Sequence, residues 1–186
     1  MKNGQIIVLS GQPRAGKSRI ARVIQATFPG DWLVTGVDAQ MQALPAQLQP
    51  GIGLRPGGER PALEPVIRRL YAVLFATLAA YSRQGFNVVA DVGLHDGYSQ
   101  PLGLVALLHR QLAGLPLVVV GVTAAPEVIA ARRKATWHKL PPAAVLDRWA
   151  TAVAATPVDL TVDSGELGAT GCAARIRDFM KEGGAF

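Results

Sequence analysis

The residues best suited to chemistry lie near the start of the chain, in Gly11-Gln12-Pro13-Arg14-Ala15-Gly16-Lys17-Ser18. The apolar run Ile6-Ile7-Val8-Leu9 precedes them, and a helical pattern from Arg19 to Phe28 follows. A G-x-x-x-x-G-K-[ST] octet in a strand–loop–helix setting is a phosphate-binding loop. Gly11 and Gly16 allow the backbone to fold into an anion nest that a side chain would obstruct. Lys17 brings a compact cation to the outer phosphates, and the Ser18 hydroxyl suits Mg²⁺. The helix behind the loop aims its positive end at the same point. Gly11, Gln12, Pro13, Arg14, Ala15, Gly16, Lys17, Ser18 and Arg19 are therefore the candidate contacts for a nucleoside triphosphate. The motif does not say what receives the phosphate.

Two acids stand at the ends of apolar runs. Phe86-Asn87-Val88-Val89-Ala90 ends in Asp91, the usual partner of such a loop, which holds Mg²⁺ directly or through water. Trp32-Leu33-Val34-Thr35-Gly36-Val37 ends in Asp38, at the sheet edge where ligands of open α/β folds bind. Asp38 has two readings of equal weight on spacing alone: general base, or N-cap of the helix-like Ala39 to Leu44. His95 and Asp96, in the loop after Asp91, are weaker candidates for acceptor contacts. Arg132 and Arg133, with Lys134 and Trp137-His138-Lys139, form a basic cluster. Cations there would neutralise a transferring phosphoryl group; the plainer reading is a favourable match to a helix C-terminus. Trp32, Leu33 and Leu94 lean toward a partly apolar acceptor.

The elements that position these residues follow from periodicity. Short apolar runs at Gln5–Ser10, Trp32–Val37, Phe86–Asp91, Leu117–Val122 and Val158–Asp163 read as strands. The last alternates in polarity and reads as an edge strand. Helical patterns cover Gly16–Thr27, Ala62–Arg83, Gln100–Ala113, Ala125–Thr136, Ala143–Ala154 and Gly171–Lys181. Leu63, Val66, Ile67, Leu70, Val73, Leu74, Leu78 and Tyr81 mark the expected apolar face of the long one. Pro45 to Pro61, rich in Pro, Gly and Gln, is an expected loop that could wall an acceptor pocket. Strands alternating with helices give a parallel sheet covered on both faces, and residues 1–186 read as one domain.

Bulk properties narrow the function classes. Nineteen Lys and Arg against 13 Asp and Glu give a net charge of +6, suited to phosphate-bearing ligands. Only 17% of residues are charged and no long basic tract or aromatic–basic ladder exists, so nucleic acid is a poor fit. No Asn-Lys-x-Asp guanine signature is present. The single cysteine, Cys172, excludes an intramolecular disulfide and reads as a small core residue. Leu70 to Tyr81 is too short to cross a bilayer. The expectation is a cytoplasmic protein of unspecified oligomeric state.

The chain resembles the chloramphenicol phosphotransferase family of P-loop kinases. The resemblance rests on Gly11 to Ser18, on Trp32-Leu33-Val34-Thr35-Gly36-Val37-Asp38, on Asp91-Val92, on Val118-Val119-Val120-Gly121-Val122 and on Arg132-Arg133. It implies a three-layer P-loop kinase fold, a five-stranded sheet of order 2-3-1-4-5 with a basic lid, and ATP·Mg²⁺-dependent transfer to a hydroxyl of a small molecule such as chloramphenicol. Asp38 would then be the base, Ser18 and Asp91 the metal ligands, and Arg132 and Arg133 part of the lid. Ala90 departs from the family, which often carries an acid there. A nucleotide or metabolite kinase of the same fold, or a non-catalytic nucleotide- or nucleic-acid-binding module, are the alternatives.

Overall fold

A central strand of five consecutive fully buried residues, β1 (Ile6–Ser10), organises the chain. The computed structural model describes residues 2–49, 61–137 and 140–184. β1 pairs in parallel with β3 (Asn87–Val92) on one side and β4 (Leu117–Thr123) on the other. β2 (Trp32–Gly36) flanks β3, and β5 (Leu160–Asp163) flanks β4. The order is β2-β3-β1-β4-β5, as the family resemblance implied, with β5 on an edge as its polarity suggested.

Alternation along β1 divides the core. Ile6 and Val8 face one apolar cluster, and Ile7 and Leu9 the other. The first cluster is closed by α3 (Glu64–Arg83) and α4 (Leu104–Gln111), and the second by α1 (Lys17–Thr27) and α7 (Gly168–Glu182). Cys172 lies buried on α7, as expected of a core cysteine. Each fully buried Ile, Val or Leu adds roughly 1.5–3 kcal/mol over leaving it in water. α2 (Val37–Gln42), α5 (Pro126–Thr136) and α6 (Ala143–Ala154) complete the chain, and Trp149 is the one buried residue of α6.

Three expectations shift. The buried stripe of α3 is Ile67, Tyr71, Leu74, Phe75, Leu78, Ala79 and Ser82, while Val73 is 54% exposed. Tyr71, Phe75 and Ala79 follow Ile67 at successive four-residue steps and Ser82 stands three beyond Ala79, so the stripe follows i, i+3/i+4 spacing rather than the densest aliphatic positions. α4 begins after Gly103 rather than at Gln100, because Gly103 adopts φ +66° and Asp96 Oδ1 accepts from the Leu104 N–H at 2.6 Å. Residues 46–48 form a single 3₁₀ turn within the expected loop, and residues 61–63 form another across its end, so α3 starts at Glu64 rather than Ala62; residues 50–60 lie outside the described residues.

The parallel register fixes the C-terminal edge. Gly36 pairs with Asp91, Ser10 with Val92 and Gly121, and Thr123 with Asp163. The phosphate loop, Asp38, Asp91 and Ser164 therefore leave the sheet along one line. Gly36 allows this close approach: a Cβ there would stand 2.3 Å from the Asp91 carbonyl oxygen. Gly36→Ala should lower stability by about 1–3 kcal/mol, as overpacking does, read as a lower urea midpoint at unchanged slope. An unchanged midpoint would show that β2 and β3 can separate freely.

Tyr71, 3% exposed, donates its hydroxyl to the Gly93 carbonyl at 3.2 Å. Burial holds its phenol, and that of nearby Tyr98, well above the usual tyrosine range. A folded-state pKa raised above the unfolded one gives stability that is complete below about pH 10 and lost above it. The unfolded chain ionises there while the folded chain does not. Each such tyrosine contributes about 1.4 kcal/mol of loss per pH unit. Chemical denaturation between about pH 9 and 11 should give a shallower decline in Tyr71→Phe than in wild type; parallel profiles would contradict the assignment.

Candidate active site

The phosphate loop closes on itself. The Ala15 N–H donates to the Gln12 carbonyl at 3.1 Å, and Gly16 takes φ 103° ahead of α1. The two loop glycines serve different needs. Gly11 has no room for a Cβ, which would lie 2.3 Å from the Val122 carbonyl oxygen; Gly16 supplies the left-handed backbone. Lys17 folds back beneath the loop, its Nζ donating to the Gly11 carbonyl at 2.9 Å and the Gln12 carbonyl at 3.1 Å. Burial pushes the ammonium below the ordinary lysine range. Asp91 and, more weakly, Asp38 pull it back, while Arg14 adds to the downward push. Lys17 is thus a desolvated cation sharing one field with both candidate acids.

Asp91 holds the centre of this cluster. Its Oδ2 accepts from the Ser18 hydroxyl at 2.5 Å, and its Oδ1 lies 3.5 Å from Lys17 Nζ. A hydroxyl and a carboxylate side by side are hard oxygen donors of the kind Mg²⁺ takes. Among the described residues no group of three His, Cys, Asp or Glu side chains converges, so the pair resembles a site completed by phosphate and water rather than an all-protein cage.

Asp38 lies in the first turn of α2, whose N-cap is Gly36, so it does not cap that helix through its own side chain. It lines a cavity of about 320 Å³ together with Gly11, Pro13, Arg14, Lys17, Ser18 and Asp91. The phosphate loop and the acid of β2–α2 therefore face the same space. Val37, Tyr71, Trp137 and Trp149 supply its less polar walls. Trp32 and Leu94 do not: both are buried in the core. Trp32 packs edge-on against Phe28.

A second cavity of about 440 Å³ lies on the other side of the loop, bordered by Arg14, Gly16, Lys17, Ser18, Arg19, Arg132 and Ser164 among others. Arg132 is fastened there. Its Nη1 donates to Ser164 Oγ at 2.9 Å and to the Arg14 carbonyl at 3.2 Å, and its Nη2 to the Ser164 carbonyl at 3.3 Å. Ser164 in turn donates to the Ala15 carbonyl. Arg133, 7% exposed, donates to Gln12 Oε1 at 2.8 Å and sits 5.7 Å from the Trp137 ring. Burial lowers its pKa. Both arginines brace the loop, and His138 and Lys139 lie outside the described residues.

His95 and Asp96 serve the fold rather than the Asp38 cavity. His95 is 1% exposed and stacks on Tyr98 at 4.6 Å, and Asp96 caps α4. Glu64, also buried, accepts from the Ser99 N–H at 2.9 Å and ties α3 to the same loop. Sequence reasoning did not single out Tyr71, Trp149 or Ser164 for the site. The only signal for Ser164 was its place one residue past β5, at the edge where Asp91 and Asp38 emerge.

No curated protein matches the sequence significantly. Solved structures match throughout its length at low identity. A tunicamycin resistance protein from Deinococcus radiodurans is 17% identical, covering 95% of each chain at a TM-score of 0.66. A putative kinase from Chloroflexus aurantiacus is 16% identical, covering 98% of this chain and 99% of that one, also at 0.66. A shikimate kinase from Acinetobacter baumannii, solved with shikimate, is 15% identical, covering 97% and 94% at 0.62. Such likeness shows a shared P-loop kinase fold. The sequence pattern of the chloramphenicol phosphotransferase-like proteins matches residues 4–181, and the chain belongs to that family.

Proposed function

We propose that the protein transfers the γ-phosphoryl group of ATP to a hydroxyl of a small molecule bound beside Asp38. The observation that carries this is the shared cavity: Lys17, Ser18, Asp91 and Asp38 all line it. The loop from Gly11 to Arg19 would cradle the nucleotide phosphates through its N–H groups and Lys17. The second cavity, with Arg132 on its rim, is the side on which the rest of the nucleotide would lie.

Ser18 and Asp91 would hold Mg²⁺, which when bound would supply neutralisation of the phosphates' negative charge. Asp38 orients the acceptor hydroxyl and takes its proton. The acceptor oxygen forms a bond to phosphorus as the bond between phosphorus and the ADP oxygen breaks, and ADP leaves with that electron pair. Lys17 moves from the Gly11 and Gln12 carbonyls to phosphate oxygens. Arg132 adds positive charge on the donor side, and Arg133 acts through Gln12 by fixing the loop's shape. The whole of residues 1–186 works as one kinase unit, in the cytoplasm where ATP is available, in keeping with an unpaired Cys172.

The acceptor would be an alcohol carrying an aromatic or apolar face, matched to Val37, Tyr71, Trp137 and Trp149. Chloramphenicol, which gives the family its name, is the first acceptor to assay, and a role in resistance would follow from its phosphorylation. A panel of sugars and metabolite alcohols separates this from a housekeeping kinase of the same fold.

Asp38→Ala should keep ATP binding within a small factor and lose roughly 10²–10⁴-fold in turnover, the contribution of a positioned base. Steady-state phosphate transfer alongside calorimetric ATP titration reads both quantities. Wild-type turnover in Asp38→Ala would remove Asp38 from the mechanism.

A further inference from the structure

We propose that Arg14 is a catalytic residue: the phosphate loop itself carries the guanidinium that neutralises the phosphoryl group in flight. The inference rests on the phosphotransfer reading above and adds to it a side chain that the reading used only as part of the cradle.

The first observation is the backbone. Arg14 has φ 72°, and every other positive φ among the described residues belongs to a glycine. A side chain in this region is disfavoured, and glycine would occupy it freely. Such outliers persist at functional sites where the surroundings hold them. Here the Arg132 guanidinium does so, by donating to the Arg14 carbonyl at 3.2 Å.

The second observation is position. Arg14 borders both the Asp38 cavity and the Arg132 cavity. Lys17 and Ser18 border both as well, so Arg14 stands with them where a donor on one side and an acceptor on the other would meet. The third is availability. Arg132 is held by Ser164, and Arg133 is buried against Gln12. Arg14 is exposed, and among the described residues no carboxylate forms an ion pair with it. Its aromatic neighbour is the Trp137 ring, 5.8 Å from the guanidinium carbon. An exposed cation–π contact is weak enough to be exchanged for phosphoryl oxygens, which a guanidinium grips with two N–H groups. Trp137 parks the arginine until the phosphates arrive.

During transfer Arg14 donates hydrogen bonds to the equatorial phosphoryl oxygens. The bond changes are those already given, and no proton leaves Arg14, which stays charged throughout. Its contribution is greatest when negative charge is spread over the transferring group.

The test uses MgADP with and without aluminium fluoride, a mimic of the transferring phosphoryl group, titrated calorimetrically into the full-length protein. Arg14→Gly suits the backbone, so folding is not at risk, and a melting curve confirms it. We expect Arg14→Gly to bind MgADP within about threefold of wild type and to lose about 10²-fold in the further tightening that aluminium fluoride brings. Arg14→Lys, with a charge but no fork, should fall between. Tightening in Arg14→Gly equal to that in wild type would overturn the role, as would an equal loss for MgADP alone. A wild-type protein that binds MgADP with no tightening at all would instead overturn the phosphotransfer reading, and this inference with it.

Discussion

A buried ammonium at the foot of the phosphate loop, met by the Asp91 carboxylate, governs this site. Lys17 is removed from water beneath a loop that leads into the positive end of α1. Alone, such a concentration of positive potential would resist folding. It is tolerated because three oxygens meet it: the Gly11 and Gln12 carbonyls and the Asp91 carboxylate. Asp91 arrives because β3 lies beside β1 in register, Leu9 against Asp91. The sheet thus stabilises the loop electrostatically as well as by burial. The loop in turn remains short of negative charge, the condition for binding phosphates tightly.

The same economy explains how the loop is braced. Its far side meets Ser164 at the end of β5 and Arg132 on α5, and its front meets Arg133 through Gln12. Side chains from α5 and β5 therefore hold a loop that follows β1. A rigid loop presents its donors without reorganisation when charge shifts in the reaction. Rigid bracing has a consequence for the cations. An arginine that satisfies Ser164 or Gln12 cannot swing far without loosening what it holds, so the bracing role and the mobile role fall to different residues.

How much of this was legible in the sequence depends on distance along the chain. Strands and helices were readable because each buries a face whose period is local: β1 is continuous, and α1 starts at Lys17 directly after Gly16. The phosphate loop was readable for the same reason, since its chemistry occupies eight successive residues. The α3 stripe departs from the aliphatic positions because Tyr71 and Ser82 bury polar groups against Gly93 and Gly4, partners that no local period announces. His95 reads as a loop residue in one dimension and is a stacked core residue in three. Ser164 and Trp149 could not be recognised, because their meaning lies in partners that the folded chain brings from far away.

That contrast bears on specificity. The phosphate loop is written in one continuous segment, within a fold that solved structures about 15% identical to this chain share. The wall of the Asp38 cavity is assembled from α2, α3, the chain after α5, and α6. Of these, α6 buries only Trp149 and is lightly attached. Residues there are free to change without disturbing Lys17 or Asp91, because little of the core depends on them. Residues that touch both cavities belong to neither half alone. Arg14 is such a residue: its backbone is bound to the loop's shape, while its side chain lies against Trp137, a wall of the acceptor space. Arg133 meets the same ring and braces the loop through Gln12, so a change at Trp137 bears on the phosphate loop through two guanidiniums at once.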